Sequence, residues 1–288
     1  MAVLNLDKIF QPKSVAVIGA SPTESSIGYT VLKNLSEGGF GGRVYPVNPK
    51  YERIGENQCY ERVAKLPSVP DLAVVCTPAA TTPGMVDECG SAGVRGMVIL
   101  SAGFREMNEQ GERLEQQLRD AAARYEGLRI IGPNCLGVMA PHAALNASFA
   151  SGMPPRGRIA FISQSGALCT AVLDWALQEK VGFSHFVSVG NMIDVGIGDL
   201  IDYFGSDGLT DSIILYVESI TDAREFISAS RAFARKKPII AYKAGRFTES
   251  AQAPASHTGA MAGVDAVYEA AFNRAGVVRV CEILDMFD

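Results

Sequence analysis

Apolar and polar positions along the chain follow two alternating rhythms. Short runs rich in β-branched residues recur as SVAVIGA from Ser14, RVYPV from Arg43, LAVVCT from Leu72, RGMVILS from Arg95 and LRIIG from Leu128. Between several of them lie amphipathic stretches of helical period, such as GYTVLKNLSEG and NEQGERLEQQLRDAAARY. Strand alternating with helix is the βαβ rhythm of a parallel, doubly wound sheet. From Met139 to Arg158 the period fades, two prolines stand side by side, and the stretch reads as a linker. The rhythm then resumes with RIAFIS, FSHFVSVG, SIILYVES, KPIIAYKAG and GVVRVCE, with helices expected to start near Gly166, Gly196, Asp222 and Gly263. The fold class is α/β. It comprises two doubly wound parallel-sheet domains, 1–145 and 146–288, with ligand-carrying loops at the carboxyl ends of their strands. There is no internal repeat.

Composition narrows the partners. A net charge of −5 and a pI near 5.4 leave no basic field for nucleic acid or anionic lipid. A polyanionic ligand therefore has to be held locally, by backbone amides and a few cations. No apolar run reaches membrane-spanning length, and the N-terminus lacks a signal-peptide pattern. The six cysteines form no CxxC pair, which argues against zinc or a disulfide framework and for the reducing cytoplasm; no metal site is expected.

In the first unit, VAVIGASPTESSIG is a strand, a glycine turn and a helix start. Gly19 permits the turn, Gly28 lets the helix approach the sheet, and free amides at the helix start would face a diphosphate. The loop between, with Ser21, Ser25 and Ser26, lacks the middle glycine of a dinucleotide fingerprint. After the second strand, where a nicotinamide site wants an acid, stand Asn48 and Lys50. A cation there suits a phosphorylated ribose, in NADP or in coenzyme A. Further strand ends carry CTPAATTP with Thr77 and Pro78, LSAGFRE with Ser101 and Gly103, and IGPNCLG with Asn134 and Cys135. They fit an extended ligand along the sheet edge. Cys135 reads as a small residue in a tight turn, because no histidine nearby in sequence would activate it.

The second unit repeats this logic. Ser163, Gln164, Ser165 and Gly166 form the turn between a strand and a long helix, so two hydroxyls and first-turn amides would converge on an anion. Gly190 and Asn191 mark another strand end, and Glu218 closes the apolar strand ILYVES. His257 lies in PASHTGAMAG, among small residues and just before an expected helix. A carboxylate such as Glu218 would hold one ring nitrogen and free the other for chemistry. His142 and His185 have no such setting and read as structural.

Taken together and in this order, FQPKSVAVIGAS, VNPKYERIG, IGPNCLG, SQSGAL and SHTGAMAG resemble the α portion of the NDP-forming acyl-CoA synthetases, relatives of succinyl-CoA synthetase. The resemblance runs from about Phe10 to the C-terminus. It implies a Rossmann-like CoA-binding domain followed by a flavodoxin-like domain with a phosphohistidine. On that pattern the Gly19–Gly28 loop and Lys50 hold CoA phosphates, and the CTPAA and SAGF loops line the CoA. Asn134 and Cys135 lie near its thiol end. His257 is the phosphorylated residue, Glu218 orients it, and SQSG faces phosphate. The implied reaction is acid, CoA and ATP to acyl-CoA, ADP and phosphate, through acyl phosphate and phosphohistidine. Such enzymes also need an ATP-grasp portion, as a β subunit or a fused C-terminal region. Neither it nor a P-loop is present here, so Mg-ADP or Mg-ATP is expected only through a partner or a missing domain. The partners expected are CoA, a small carboxylic acid and that ATP-grasp portion. Two other readings compete: a CoA-sensing regulatory module of a protein lysine acetyltransferase, and an NADP-binding oxidoreductase module.

Overall fold

The computed structural model describes residues 3–245 and 265–287. Its first unit runs α1 (Asp7–Phe10), β1 (Ser14–Ile18), α2 (Ile27–Glu37), β2 (Arg43–Val47), a small hairpin of β3 (Arg53–Ile54) and β4 (Asn57–Gln58), then β5 (Leu72–Val75), α3 (Thr82–Ala92), β6 (Gly96–Ile99), α4 (Glu109–Ala122) and β7 (Arg129–Ile131). Five parallel strands form one sheet in the order β2-β1-β5-β6-β7. Strands β5, β6 and β7 are buried at every position, as a sheet covered on both faces requires. Pro46 sits in β2, an edge strand, where its missing N–H breaks no ladder on the open side.

The second unit contains β8 (Gly137–Ala140), β9 (Leu145–Ser148), β10 (Arg156–Ser163), α5 (Gly166–Glu179), β11 (Phe183–Ser188), α6 (Ile197–Ser206), β12 (Ser212–Val217), α7 (Ala223–Phe233), β13 (Ile239–Lys243), α8 (Asp265–Ala275) and β14 (Val278–Val280). Its sheet has the order β14-β13-β12-β10-β11-β8-β9, with β8 antiparallel to both β11 and β9. Counting only the parallel strands of each unit, both sheets run 2-1-3-4-5. The direction in which successive strands are laid down thus reverses between β1 and β5 in one sheet and between β10 and β12 in the other. Ligands of doubly wound folds lie in the crevice at such a reversal.

Helix starts are capped by the residues their chemistry favours. Ser26, Asn108, Ser165 and Asp222 each accept a backbone N–H from the first turn of their helix. The stretch expected to be a linker is a correction: β8, β9 and the start of β10 fall within or overlap it and complete the second sheet. β8 and β9 have four residues each, joined by the turn of residues 141–144, too short for a period to show. The helix expected near Gly263 is described only from Asp265.

One core joins the two units. A single cluster of buried side chains includes Phe10, Val17 and Leu35 of the first and Val187, Phe204 and Phe272 of the second. Asn34 on α2 donates to the carbonyls of Ser148 and Ala150, both at 2.9 Å, fastening that helix to the edge of the second sheet.

Candidate functional site

At the β1/β5 reversal the chain must turn sharply twice. Gly19 has φ +87°, which an L side chain rarely adopts. A Cβ on Gly28 would lie 2.0 Å from the carbonyl oxygen of Gly19, so only glycine lets α2 come this close to the end of β1. The loop between holds its own shape. Ser21 accepts from the amide of Thr23 at 3.1 Å, while Ser26 donates to the Thr23 carbonyl and caps Tyr29. Ser25 is exposed. With Tyr29 N taken by the cap, the amides of Ile27 and Gly28 at the start of α2 have no intrahelical partner and are available to an anion.

Beside this turn lies a cavity of about 540 Å³. Gly19, Asn48, Lys50, Thr77 and Pro78, all expected at the ligand, line it together. Lys50 is exposed at its rim, and Arg62 adds a second cation that sequence reasoning missed. Asn48 serves the frame: its amide donates to Ala20 O at 2.8 Å and accepts from Lys50 N at 3.0 Å. Ser101 is buried and donates to Thr77 O at 2.5 Å, tying two strand ends together. Gly103 turns with φ +115° and donates to Glu106 Oε1 at 2.7 Å. Cys135 is 4% exposed and donates to Ile99 O, and burial pushes its thiol up to about 12. It packs in the core, with neither exposure nor acidity for chemistry.

At the β10/β12 reversal, Ser163 and Ser165 lock the turn by hydrogen bonds of 3.0 Å in both directions, and Ser165 caps α5 at Leu168 N. Gly166 leaves the helix start open, since a Cβ there would meet nothing nearer than 3.9 Å. Glu218, half-buried, follows the end of β12. Its amide is held at 2.5 Å by Gln164 Oε1. Burial first, then the Glu218 charge, pushes the neighbouring Tyr216 phenol up to about 12. Lys243, at the end of β13, is 4% exposed and stands 4.5 Å over the Tyr268 ring. Burial lowers its ammonium from the usual range despite nearby acids, Glu218 among them. His257 and its loop lie outside the described residues.

The two sites meet. Gly190, with φ +58°, has Pro133 O only 2.1 Å from where a Cβ would stand. The 190–195 segment runs against the end of β7 with backbone bonds Asn191 N to Pro133 O, Ile193 N to Gly132 O and Val195 N to Ile130 O. Asn134, itself at φ +58°, reaches Asn191 Oδ1 at 3.3 Å. Asn191 was expected at the phosphate, yet its amide is spent here, donating to Glu106 at 2.9 Å and Glu115 at 2.8 Å. Arg105 donates to Asn191 O, and both Arg105 and Arg119 pair with Glu115. Burial raises the Glu106 carboxyl, but hydrogen bonds from Asn191, Gly103 and Phe104 outweigh it and hold it below its usual range. The signal for this network was in α4. Glu115 interrupts its buried stripe of Gly111, Leu118 and Ala121, and a buried acid needs a partner. His142 and His185 are structural: one bonds Gly157 O at 2.8 Å and the other is 2% exposed.

Two family models match the chain in succession. Residues 13–141 match the model of a CoA binding domain, and residues 156–288 that of a succinyl-CoA ligase like flavodoxin domain. An acetate–CoA ligase [ADP-forming] I of Archaeoglobus fulgidus is 44% identical over 98% of this chain and 41% of its own length. The subunit alpha of the corresponding Pyrococcus furiosus ligase I is 45% identical over 99% of this chain and 62% of its own length. Among solved structures, a dinucleotide forming acetyl-coenzyme A synthetase 1 of Ca. Korarchaeum cryptofilum, in complex with phosphate and ADP, superposes with a TM-score of 0.94 at 41% identity, over 99% of this chain and 61% of that one. The chain thus spans less than two thirds of the length of each of these relatives.

Proposed function

The chain belongs to the succinyl-CoA synthetase superfamily, as an α-subunit-like region of the ADP-forming acyl-CoA ligases, and from that premise we propose that it is the CoA-binding and phosphohistidine part of such a ligase. The complete reaction converts a small carboxylic acid, CoA and ATP to acyl-CoA, ADP and phosphate. An ATP-grasp β subunit or fused region supplies the nucleotide step. Six cysteines without a CxxC pair support a cytoplasmic location for it.

CoA lies at the β1/β5 reversal, its pyrophosphate against the Gly19–Gly28 loop and its 3′-phosphate at Lys50. Its thiol end reaches the 132–134 turn. In the direction that consumes acyl-CoA, a phosphate oxygen attacks the thioester carbonyl. The C–S bond breaks, and the thiolate leaves and takes a proton. The acyl phosphate then gives its phosphoryl group to a neutral ring nitrogen of His257, forming N–P as the P–O bond to the acyl group breaks. Glu218 orients the imidazole, and the start of α5 offsets the phosphoryl charge without a metal. The observation that supports this reading is the contact of Asn134 with Asn191, which brings the expected thiol end of CoA against the segment that leads from β11 of the second unit.

Titration with CoA and with NADP tests it. CoA is expected to raise the thermal midpoint of the chain and NADP to leave it unchanged. The reverse result favours an oxidoreductase module. CoA binding with no phosphoryl transfer, even beside an ATP-grasp partner, favours the regulatory module.

A further inference from the structure

We infer that Gln164 is a positioning residue that sets Glu218 against the start of α5 and does not itself bind phosphate. The inference rests on the phosphoryl-relay reading above. Gln164 is 7% exposed. Its Oε1 accepts from the amides of Glu218 at 2.5 Å and Ser219 at 3.0 Å, and its Nε2 donates to Ser219 O at 3.0 Å. The remaining N–H faces the Met192 sulfur at 3.7 Å. A primary amide has two lone pairs and two N–H groups, and all four are spent. Nothing is left for an anion.

The place of these bonds gives them a purpose. Strands β10 and β12 pair in register as far as Ser163 beside Tyr216, and the bond from Gln164 N to Tyr216 O, at 3.3 Å, follows. Beyond that point the strands part at the reversal, and the Gln164 side chain continues the pairing in place of backbone. The backbone that carries the Glu218 carboxylate is thereby fixed relative to the start of α5. Misplacement of a reacting constellation by about 1 Å costs on the order of 100-fold in rate. A phosphate ligand and a positioning residue differ in what their loss changes. Removing a ligand weakens phosphate binding, whereas removing a positioning residue slows a step that still saturates at the same phosphate concentration.

Gln164→Met keeps the length of the side chain but removes all three hydrogen bonds to residues 218 and 219, together with the N–H that faces the Met192 sulfur. The chain is supplied with its ATP-grasp partner, acyl-CoA and varied inorganic phosphate, and acid-labile phosphate on it is followed. CoA affinity and amide exchange over residues 217–219 are measured alongside. The saturating rate is expected to fall by about 10- to 100-fold. The half-saturating phosphate and the CoA affinity stay within about twofold, and exchange at Glu218 and Ser219 quickens. Gln164→Glu retains the acceptor for both amides but loses both N–H donors, to Ser219 O and to the Met192 sulfur, and turns a carboxylate oxygen towards the Ser219 carbonyl. Its rate and exchange are expected between those of the wild type and Gln164→Met, and it serves if the methionine variant does not fold. A raised half-saturating phosphate at unchanged saturating rate would make Gln164 a phosphate ligand and overturn the inference, as would rates unchanged in both variants. A wild type that takes no label condemns the relay reading itself, and this role with it.

Discussion

Lys50 stands exposed at the rim of the first cavity, where the proposed CoA would place its 3′-phosphate. A charge-assisted bond to phosphate is worth about twice a neutral one. Lys50→Ala is therefore expected to weaken CoA roughly tenfold while leaving dephospho-CoA within about twofold. Equal losses, read by calorimetry, would move the 3′-phosphate elsewhere. His185 gives a pH test independent of function. Burial first lowers its pKa from 6.5 to about 4, against the opposing pull of Asp207. The unfolded chain then binds a proton that the folded chain refuses between those values. Stability is complete above pH 6.5 and is lost as pH falls towards 4, by up to about 3 kcal/mol. Urea unfolding of wild type and His185→Gln should show the two stabilities converging over that window; parallel curves would contradict the burial argument. Individual ligand-type residues were legible in the sequence as strand-end chemistry. What their side chains do was not. Asn48, Gln164 and Asn191 are amides at strand ends, the right chemistry for a phosphate contact. Folding spends each on backbone or carboxylates from segments distant along the chain.

Glycines show at the scale of the element what spacing can and cannot reveal. Gly19 and Gly28 were readable because a turn and a close helix-to-sheet approach recur nine residues apart in a strand–turn–helix unit. Gly28→Ala is expected to destabilise by about 2 kcal/mol or more and to weaken CoA, whereas an alanine at an exposed helix glycine gains roughly 1 kcal/mol. Chemical denaturation with CoA titration checks both. The antiparallel pair β8 and β9 was not readable. Its strands are short, and they gain their identity from pairing, β8 with β11 and β9 with β8, rather than from any period of their own. The order 2-1-3-4-5, shared by both sheets, left no internal repeat in the sequence, because fold order constrains where apolar runs fall and not which residues compose them.

For the whole molecule, the joined core and the backbone pairing of residues 191–195 with β7 predict one cooperative unfolding transition rather than two. Arg129 lies at that junction, 9% exposed, paired with Asp194 at 3.0 Å and Asp199 at 3.1 Å. Arg129→Met strands two acids beside each other and is expected to cost about 3–5 kcal/mol, lowering the midpoint of the entire chain in calorimetry. Melting of one half alone would contradict the shared core. That junction holds the two strand-order reversals in one body, and the central claim of the proposed function is that a phosphoryl group passes through His257. The direct measurement incubates the chain and its ATP-grasp partner with acyl-CoA and labelled inorganic phosphate. Up to one acid-labile, base-stable phosphate per chain is expected in the wild type, none in His257→Ala, and labelling slowed by orders of magnitude in Glu218→Gln with CoA binding intact. Label that persists in His257→Ala, or a wild type that takes none with the partner present, would contradict it.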